Sequence, residues 1–480
     1  MPQFFIDLHC HPQLKPYGKS FDLMPVGRNS ANNRNHKHSI WYYDPPTLAD
    51  KAIQGVGGIV KFRQSDFTTL AYAAVRVVCA SLYPVERGFF NSELGDGNLS
   101  DLANDFITSV GRRRINYLQG ITNYYDDVCR EYEYYKQLDG ATIRTSAGDY
   151  KYIMARNYAA IEQYTQQHPD DHSVIFVVMT IEGLHVLNTN IDAPPVAKTM
   201  IDNLTAIKNW DCPPFFVTVA HHFYNHLCGH ARSLTGIVGN TCNQQEGMNA
   251  SFTPLGEQVV RHALDAAAGK RIYIDIKHMS AAARARYFEI LATDYAAEKI
   301  PVIVSHGAAN GLRSAAEPVT DGKDTAYKLL AEDINLYDNE LIMVAKTGGI
   351  FGFQLDERRI ASPGTLKNTK HSAAMNKIRH YRAELLWNQV QHMAELLDRH
   401  DLFAWECMAI GSDYDGIINP LNGYLTAETF EDLLQCLERY AYNYMAGRGK
   451  ALRPYNQLSP AEIVNRIFYD NANEFLKKWF

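Results

Sequence analysis

The chain has 480 residues, is 46% apolar and 21% charged, and carries a formal net charge of -6. This is the composition of an ordinary globular protein, and it offers no basic footprint for nucleic acid. No stretch reaches the roughly 18 uninterrupted apolar residues of a membrane span, and Met1-Pro2-Gln3 shows neither the basic start nor the apolar run of a secretory signal.

Eight cysteines, Cys10, Cys79, Cys129, Cys212, Cys228, Cys242, Cys407 and Cys436, include no C-x-x-C pair. Several sit in apolar runs, where Cys acts as a small hydrophobe. Reduced thiols and a cytoplasmic location are expected, and Cys212, Cys228 and Cys242 form the one grouping with room for a disulfide.

In chain order, the first apolar run is residues 4–8, and it leads into His9-Cys10-His11. Side chains alternate along a strand, so His9 and His11 share a face while Cys10 takes the other. Further apolar runs follow at 70–82, 174–180, 215–220, 272–276, 302–305, 349–353 and 408–411. Runs apolar throughout suit a parallel sheet covered on both faces. Eight of them, with helical segments between, predict an α/β fold, a (β/α)8 TIM barrel. Helices are expected at 254–268, 383–397 and 429–442, and at Ser459-Pro460-Ala461-Glu462, a capping box with Pro at the first helical position. Two long connections interrupt the pattern. Residues 15–58 read as a loop over the barrel mouth, and 101–167 as an inserted pair of helices. No repeat is visible, so residues 1–480 read as one domain with insertions.

Barrel enzymes carry their chemistry at the C-terminal strand ends. Six such ends here supply His, Glu or Asp: His9 and His11, Glu182, His221 and His222, His278, His306, and Asp413 with Asp415. One histidine at a strand end is ordinarily structural. This many on six strands point to a metal site built from nitrogen and oxygen ligands. Of His221 and His222 only one is expected to face the barrel interior. Asp413 is preferred over Asp415, which with Gly416 suits a turn. Asp275 and Lys277, flanking His278, are expected to face the surrounding helices or the rim.

Several stretches resemble the amidohydrolase superfamily and, more narrowly, the membrane (renal) dipeptidase family. They are Ile6-Asp7-Leu8-His9, Ile181-Glu182-Gly183-Leu184-His185, Thr218-Val219-Ala220-His221-His222, Ile274-Asp275-Ile276-Lys277-His278-Met279-Ser280, Val304-Ser305-His306 and Gly411-Ser412-Asp413-Tyr414-Asp415-Gly416. The resemblance implies a metal-dependent hydrolase barrel with two zinc ions. Glu182 would bridge them, His9 and His11 would hold one, and His278 and His306 the other. Asp413 would serve as general base beside a metal-activated hydroxide, and His221 would bind the substrate carbonyl or the developing oxyanion.

The chain departs from that family twice. It has His11 where the family typically has Asp, and it lacks the Arg pair that follows the family's strand-six His. Arg313 is the substitute expected to bind a substrate carboxylate. The reading is therefore a dipeptidase-like hydrolase of a small amide. Another amidohydrolase-type activity (lactonase, phosphoesterase or deaminase) and a non-catalytic small-molecule-binding barrel are the alternatives. A homodimer is compatible with the reading, and neither nucleic acid nor membrane is expected as partner.

Overall fold

The computed structural model describes residues 4–21, 36–90, 98–234, 239, 241–321, 325–369 and 374–480. Residues 1–3 and 22–35, on which the leader and part of the mouth loop were read, lie outside the described residues.

Ten strands form: β1 (Phe5–Cys10), β2 (Val75–Leu82), β3 (Ile143–Thr145), β4 (Gly148–Met154), β5 (Val174–Glu182), β6 (Phe216–Thr218), β7 (Tyr273–Asp275), β8 (Ile303–Gly307), β9 (Ile350–Phe353) and β10 (Met408–Ile410). Eight of them run β1-β2-β5-β6-β7-β8-β9-β10, every neighbouring pair parallel. The circle comes round where β1 meets the segment after β10. His11 N–H donates to the Tyr414 carbonyl and Asp413 N–H to the His9 carbonyl, both at 2.9 Å. The eight apolar runs of the sequence are these eight strands, in a nearly closed α/β barrel.

Every residue of β1, β2 and β5 is buried. Side chains of one parity fill the barrel and those of the other face the helices, so both faces must be apolar. Gly352 and Gly411 let β9 and β10 close in. A Cβ on either would fall 1.8–1.9 Å from the Ser305 carbonyl oxygen. One hydrophobic core runs from Phe5 to Phe480. The predicted helices are present at Pro254–Leu264, Met375–Arg399 and Phe430–Ala446. Ser459 caps Pro460–Asn465 with Glu462 reaching back to it.

The segment 101–167 is richer than the expected pair of helices. It holds helices Tyr124–Lys136 and Tyr158–Gln167, with Asn98–Thr108 and Arg112–Gln119 before them and the β3–β4 hairpin between. A buried bidentate ion pair, Arg114 to Asp127 at 2.6 and 2.7 Å, ties two of the helices together. β4 pairs in parallel with the first half of β5, from Val174 to Val177, while β6 takes its far end at Ile181 and Glu182. All eight cysteines are free thiols. Among the described residues no helix is long and apolar enough to cross a membrane.

Candidate active site

β5 ends in Glu182, and Gly183 follows with φ +92. That left-handed turn is open to glycine alone here, since a Cβ would stand 2.3 Å from the His185 ring and 3.2 Å from the Cβ of His221. The turn leaves the Glu182 carboxylate at the centre of the barrel mouth. Five imidazole Nε2 atoms converge on it: His11 at 3.0 Å, His278 at 3.2 Å, His306 at 3.4 Å, and His9 and His221 at 3.5 Å. Asp413 lies 3.8–4.0 Å from Nε2 of His9, His11 and His306.

The far nitrogens explain why Nε2 faces inward. His11 Nδ1–H donates to the Ser81 carbonyl at 3.0 Å. His221 Nδ1–H donates to Glu86 at 2.7 Å. Ser305 Oγ lies 2.9 Å from Nδ1 of His306 and 3.2 Å from Nδ1 of His9, within reach of both protons. For His9, His11 and His306 this leaves the Nε2 lone pair for the centre, which is how ligand histidines are oriented by their outer partners.

Burial keeps His9, His278 and His306 neutral. It holds His9 and His306 well below the usual histidine range and His278 at about 3, the His221 charge adding to it for His278. Burial opposes ionisation of Glu182 too, but the surrounding histidines outweigh it and hold its pKa well below the usual carboxylate range. Asp413 goes the other way, pushed well above that range by burial and by the Glu182 charge. Burial also works against Glu86, yet the charge and hydrogen bond of His221 bring it to about 2. His221 is raised in turn, Glu182 and Glu86 overcoming its burial.

The donor set fits divalent metal ions. Nε2 of His9 and His11 stand 3.1 Å apart, two imidazole nitrogens crowded without a donor between them, which is where a cation would relieve the contact. Three groupings around the centre, His9 with His11 and Glu182, Glu182 with His278 and His306, and His9 with His306 and Asp413, each bring three ligand atoms within 4.8 Å of one another.

His9, His11, Glu182, His221, His278, His306 and Asp413 thus come together as the sequence predicts. Arg313 does not. Its side chain is half exposed, with Glu317 at 2.6 Å and Asp321 at 3.7 Å, and it lines no part of this cavity. The run Gly311-Leu312-Arg313 has already turned onto the surface. Two further expectations change. Lys277 lines the cavity beside His278 instead of facing the helices. β7 stops at Asp275, so strand alternation no longer governs Lys277 and His278, and His278 sits at φ +66. Likewise β6 stops at Thr218, and both His221 and His222 line the cavity.

Strands two and seven contribute as well, though nothing in the sequence reading drew on them. Tyr83 and Glu86 follow β2, and Tyr83 O–H donates to Glu86 at 3.0 Å. Gln354, Arg358 and Arg359 follow β9 and line the cavity. The signal was available, since the strand-end rule applied to those two runs reaches these residues within a few positions. Asp415 accepts from the Gln64 and Ser65 backbone N–H at 3.0 and 2.8 Å and pairs with Lys15 at 3.0 Å, so it fastens the segment after β10 to two distant parts of the chain.

A family profile described as Membrane dipeptidase (Peptidase family M19) matches residues 216–448. Among solved structures, a metallopeptidase from Rhodobacter sphaeroides, liganded with a phosphinate mimic of the dipeptide L-Ala-D-Ala, aligns with a TM-score of 0.51 at 13% identity, covering 99% of each chain. A dipeptidase of family M19 aligns with a TM-score of 0.48 at 12% identity, over 99% of this chain and 98% of its own. No curated protein sequence matches. Over residues 216–448, just under half of its length, the chain is similar to the membrane dipeptidase family, and its fold as a whole is that of the Rhodobacter sphaeroides metallopeptidase.

Proposed function

We propose that the chain, read as one domain, hydrolyses an amide bond in a small substrate with two divalent ions, zinc by ligand type, held around Glu182. The observation that carries this is the convergence of five histidine Nε2 atoms on one buried carboxylate at 3.0–3.5 Å. A buried acid ringed by five imidazoles is a costly arrangement for packing alone and an ordinary one for a metal centre. Glu182 would bridge the two ions, its negative charge offsetting their repulsion. His9 and His11 would hold one ion, and His278 and His306 the other. When bound, the ions supply Lewis-acid polarisation and bring the pKa of water toward neutrality.

The protein's own groups do the rest. Asp413, 3.8–4.0 Å from Nε2 of His9, His11 and His306, takes the proton of the attacking water and returns it to the leaving amine. His221, held charged by Glu86, donates from Nε2 to the carbonyl oxygen as negative charge develops there. Phe89, Leu234 and Ile334 supply apolar lining. The eight free thiols suit a reducing compartment such as the cytoplasm.

The test is elemental analysis of purified protein, with turnover of L,L- and L,D-dipeptides and N-acyl amino acids. Two metal equivalents per chain, lost together with activity in Glu182→Gln, are expected. A metal-free preparation from zinc-supplemented medium, with His278→Ala equally stable and equally active, overturns the reading.

A further inference from the structure

The cavity lining carries charge that this chemistry leaves unused. Lys277, Arg358 and Arg359 all reach it. Lys277 is 2% exposed, and Asp413, Asp275 and Glu182 act on its charge without a hydrogen bond or close ion pair to its Nζ among the described residues. Arg359 gives one NH2 to the Ser233 carbonyl, and its closest carboxylate is Glu332 at 3.7 Å. Arg358 is satisfied on one side only, where Asp356 takes its Nε at 3.0 Å and one NH2 at 2.6 Å. Lys277 and Arg359 are thus largely buried cations without a carboxylate in hydrogen-bond contact, while Arg358, 42% exposed, is paired with Asp356. A buried cation without a partner is expensive, and a guest anion is the usual compensation. Arginine forks and a lysine ammonium are the groups that grip carboxylates.

The acids of the same lining are already committed. Glu182 is ringed by histidines, Asp356 is held by Arg358, and Asp413 stands at the metal ligands. Among the described lining residues no carboxylate is left over for a substrate ammonium, which a free dipeptide would bring. With Glu182 and Asp413 set aside for the metal chemistry, the lining holds Lys277, Arg358 and Arg359 against Asp356 alone.

We propose that the substrate is an N-acylated amino acid, anionic and without a free amine, whose carboxylate is bound by Lys277 and Arg359 with Arg358 beside them. The carboxylate grip thus comes from the segments that follow β7 and β9. Lys277 directly precedes His278 in the chain. A carboxylate on it lies next to the reacting centre, as the α-carboxylate of an amino acid lies next to its amide. This rests on the amide-hydrolase reading of the same site.

The experiment compares N-acetyl-alanine, its methylamide and alanyl-alanine as substrates of wild type, Lys277→Met, Lys277→Arg and Arg359→Gln. It also titrates N-acetyl-alanine calorimetrically into chelator-treated protein. Wild type should prefer N-acetyl-alanine over both others by about 10-fold or more, and Lys277→Met should erase that preference through KM, the size expected for one charged hydrogen bond. Lys277→Arg should restore part of it. Binding to the chelated protein should weaken by a similar factor in Lys277→Met and Arg359→Gln. Lys277→Met keeps the side-chain volume, and thermal melting confirms that it folds. Preference for alanyl-alanine, with N-acetyl-alanine turned over poorly, overturns the proposal and leaves the hydrolase intact. Lysine-dependent binding without turnover of any of the three does the reverse. Binding indifferent to both substitutions also overturns it.

Discussion

Glu182 and Glu131 are both buried carboxylates, and their neighbours send them in opposite directions. Glu182 is ringed by histidines and stays ionised. Glu131 is pushed up to about 8 by burial and by Asp127 beside it. One of its oxygens accepts the Tyr83 N–H at 2.7 Å, and the other has no partner among the described residues. In the unfolded chain this acid titrates near 4.5. Between 4.5 and about 8 the folded state holds a proton that the unfolded state has released. Its contribution is therefore full below the lower value and lost as pH rises toward the upper one, by at most about 1.4 kcal/mol per pH unit. Glu131→Gln should flatten that slope, read as urea midpoints at pH 5 and pH 8. Parallel slopes for wild type and variant would rule out a neutral acid here. Single residues also mark where sequence reading stops. The companions of His278 and His221 were assigned by strand alternation. Lys277 and His222 lie past the ends of β7 and β6, where the backbone has left the strand.

At the scale of elements, the strand ends are aligned by two aspartates in matching positions. Asp7 Oδ1 accepts from the backbone N–H of His9 at 3.2 Å and of Ser412 at 2.9 Å, and its Oδ2 takes the Ser412 hydroxyl at 2.5 Å. Asp275 Oδ1 accepts from Lys277 N–H at 3.0 Å and Ser305 N–H at 3.2 Å. The first fastens β1 to the segment carrying Asp413, the second β7 to β8. In each case an acid two or three residues before a site histidine fixes the gap between neighbouring strands. Removing Asp7 strands three buried donors. Asp7→Ala should cost about 2–4 kcal/mol in denaturant unfolding and lower kcat/KM more than metal content, because His9 and Asp413 lose their mutual register. An unfolding midpoint equal to wild type would remove that role from Asp7. The barrel strands were legible because they are apolar on both faces. The β3–β4 hairpin was not. Gly148–Met154 places Tyr152 and Met154 inward amid Asp149 and Lys151, a half-polar pattern that reads equally well as helix or loop until β5 offers it an edge.

For the whole molecule, the barrel holds its ligands on separate strands, and metal ions should act as cross-links between them. Binding only to the folded state stabilises it by mass action, about 2.7 kcal/mol at a hundredfold excess over Kd. Chelation should therefore lower the melting temperature by several degrees, and zinc should restore it. The same melting temperature after elemental analysis has verified metal loss would deny the centre any part in holding the fold. The sequence alone determined the barrel, its eight strands and the seven residues that meet at the mouth, because hydrophobic run length and strand-end position are local properties. Tertiary structure alone decided the rest. It put Arg313 on the surface, brought Arg358 and Arg359 into the cavity, set Glu86 behind His221, and turned Lys277 inward. Those outcomes depend on where loops go after strands end, and that is fixed by packing between segments far apart in the chain.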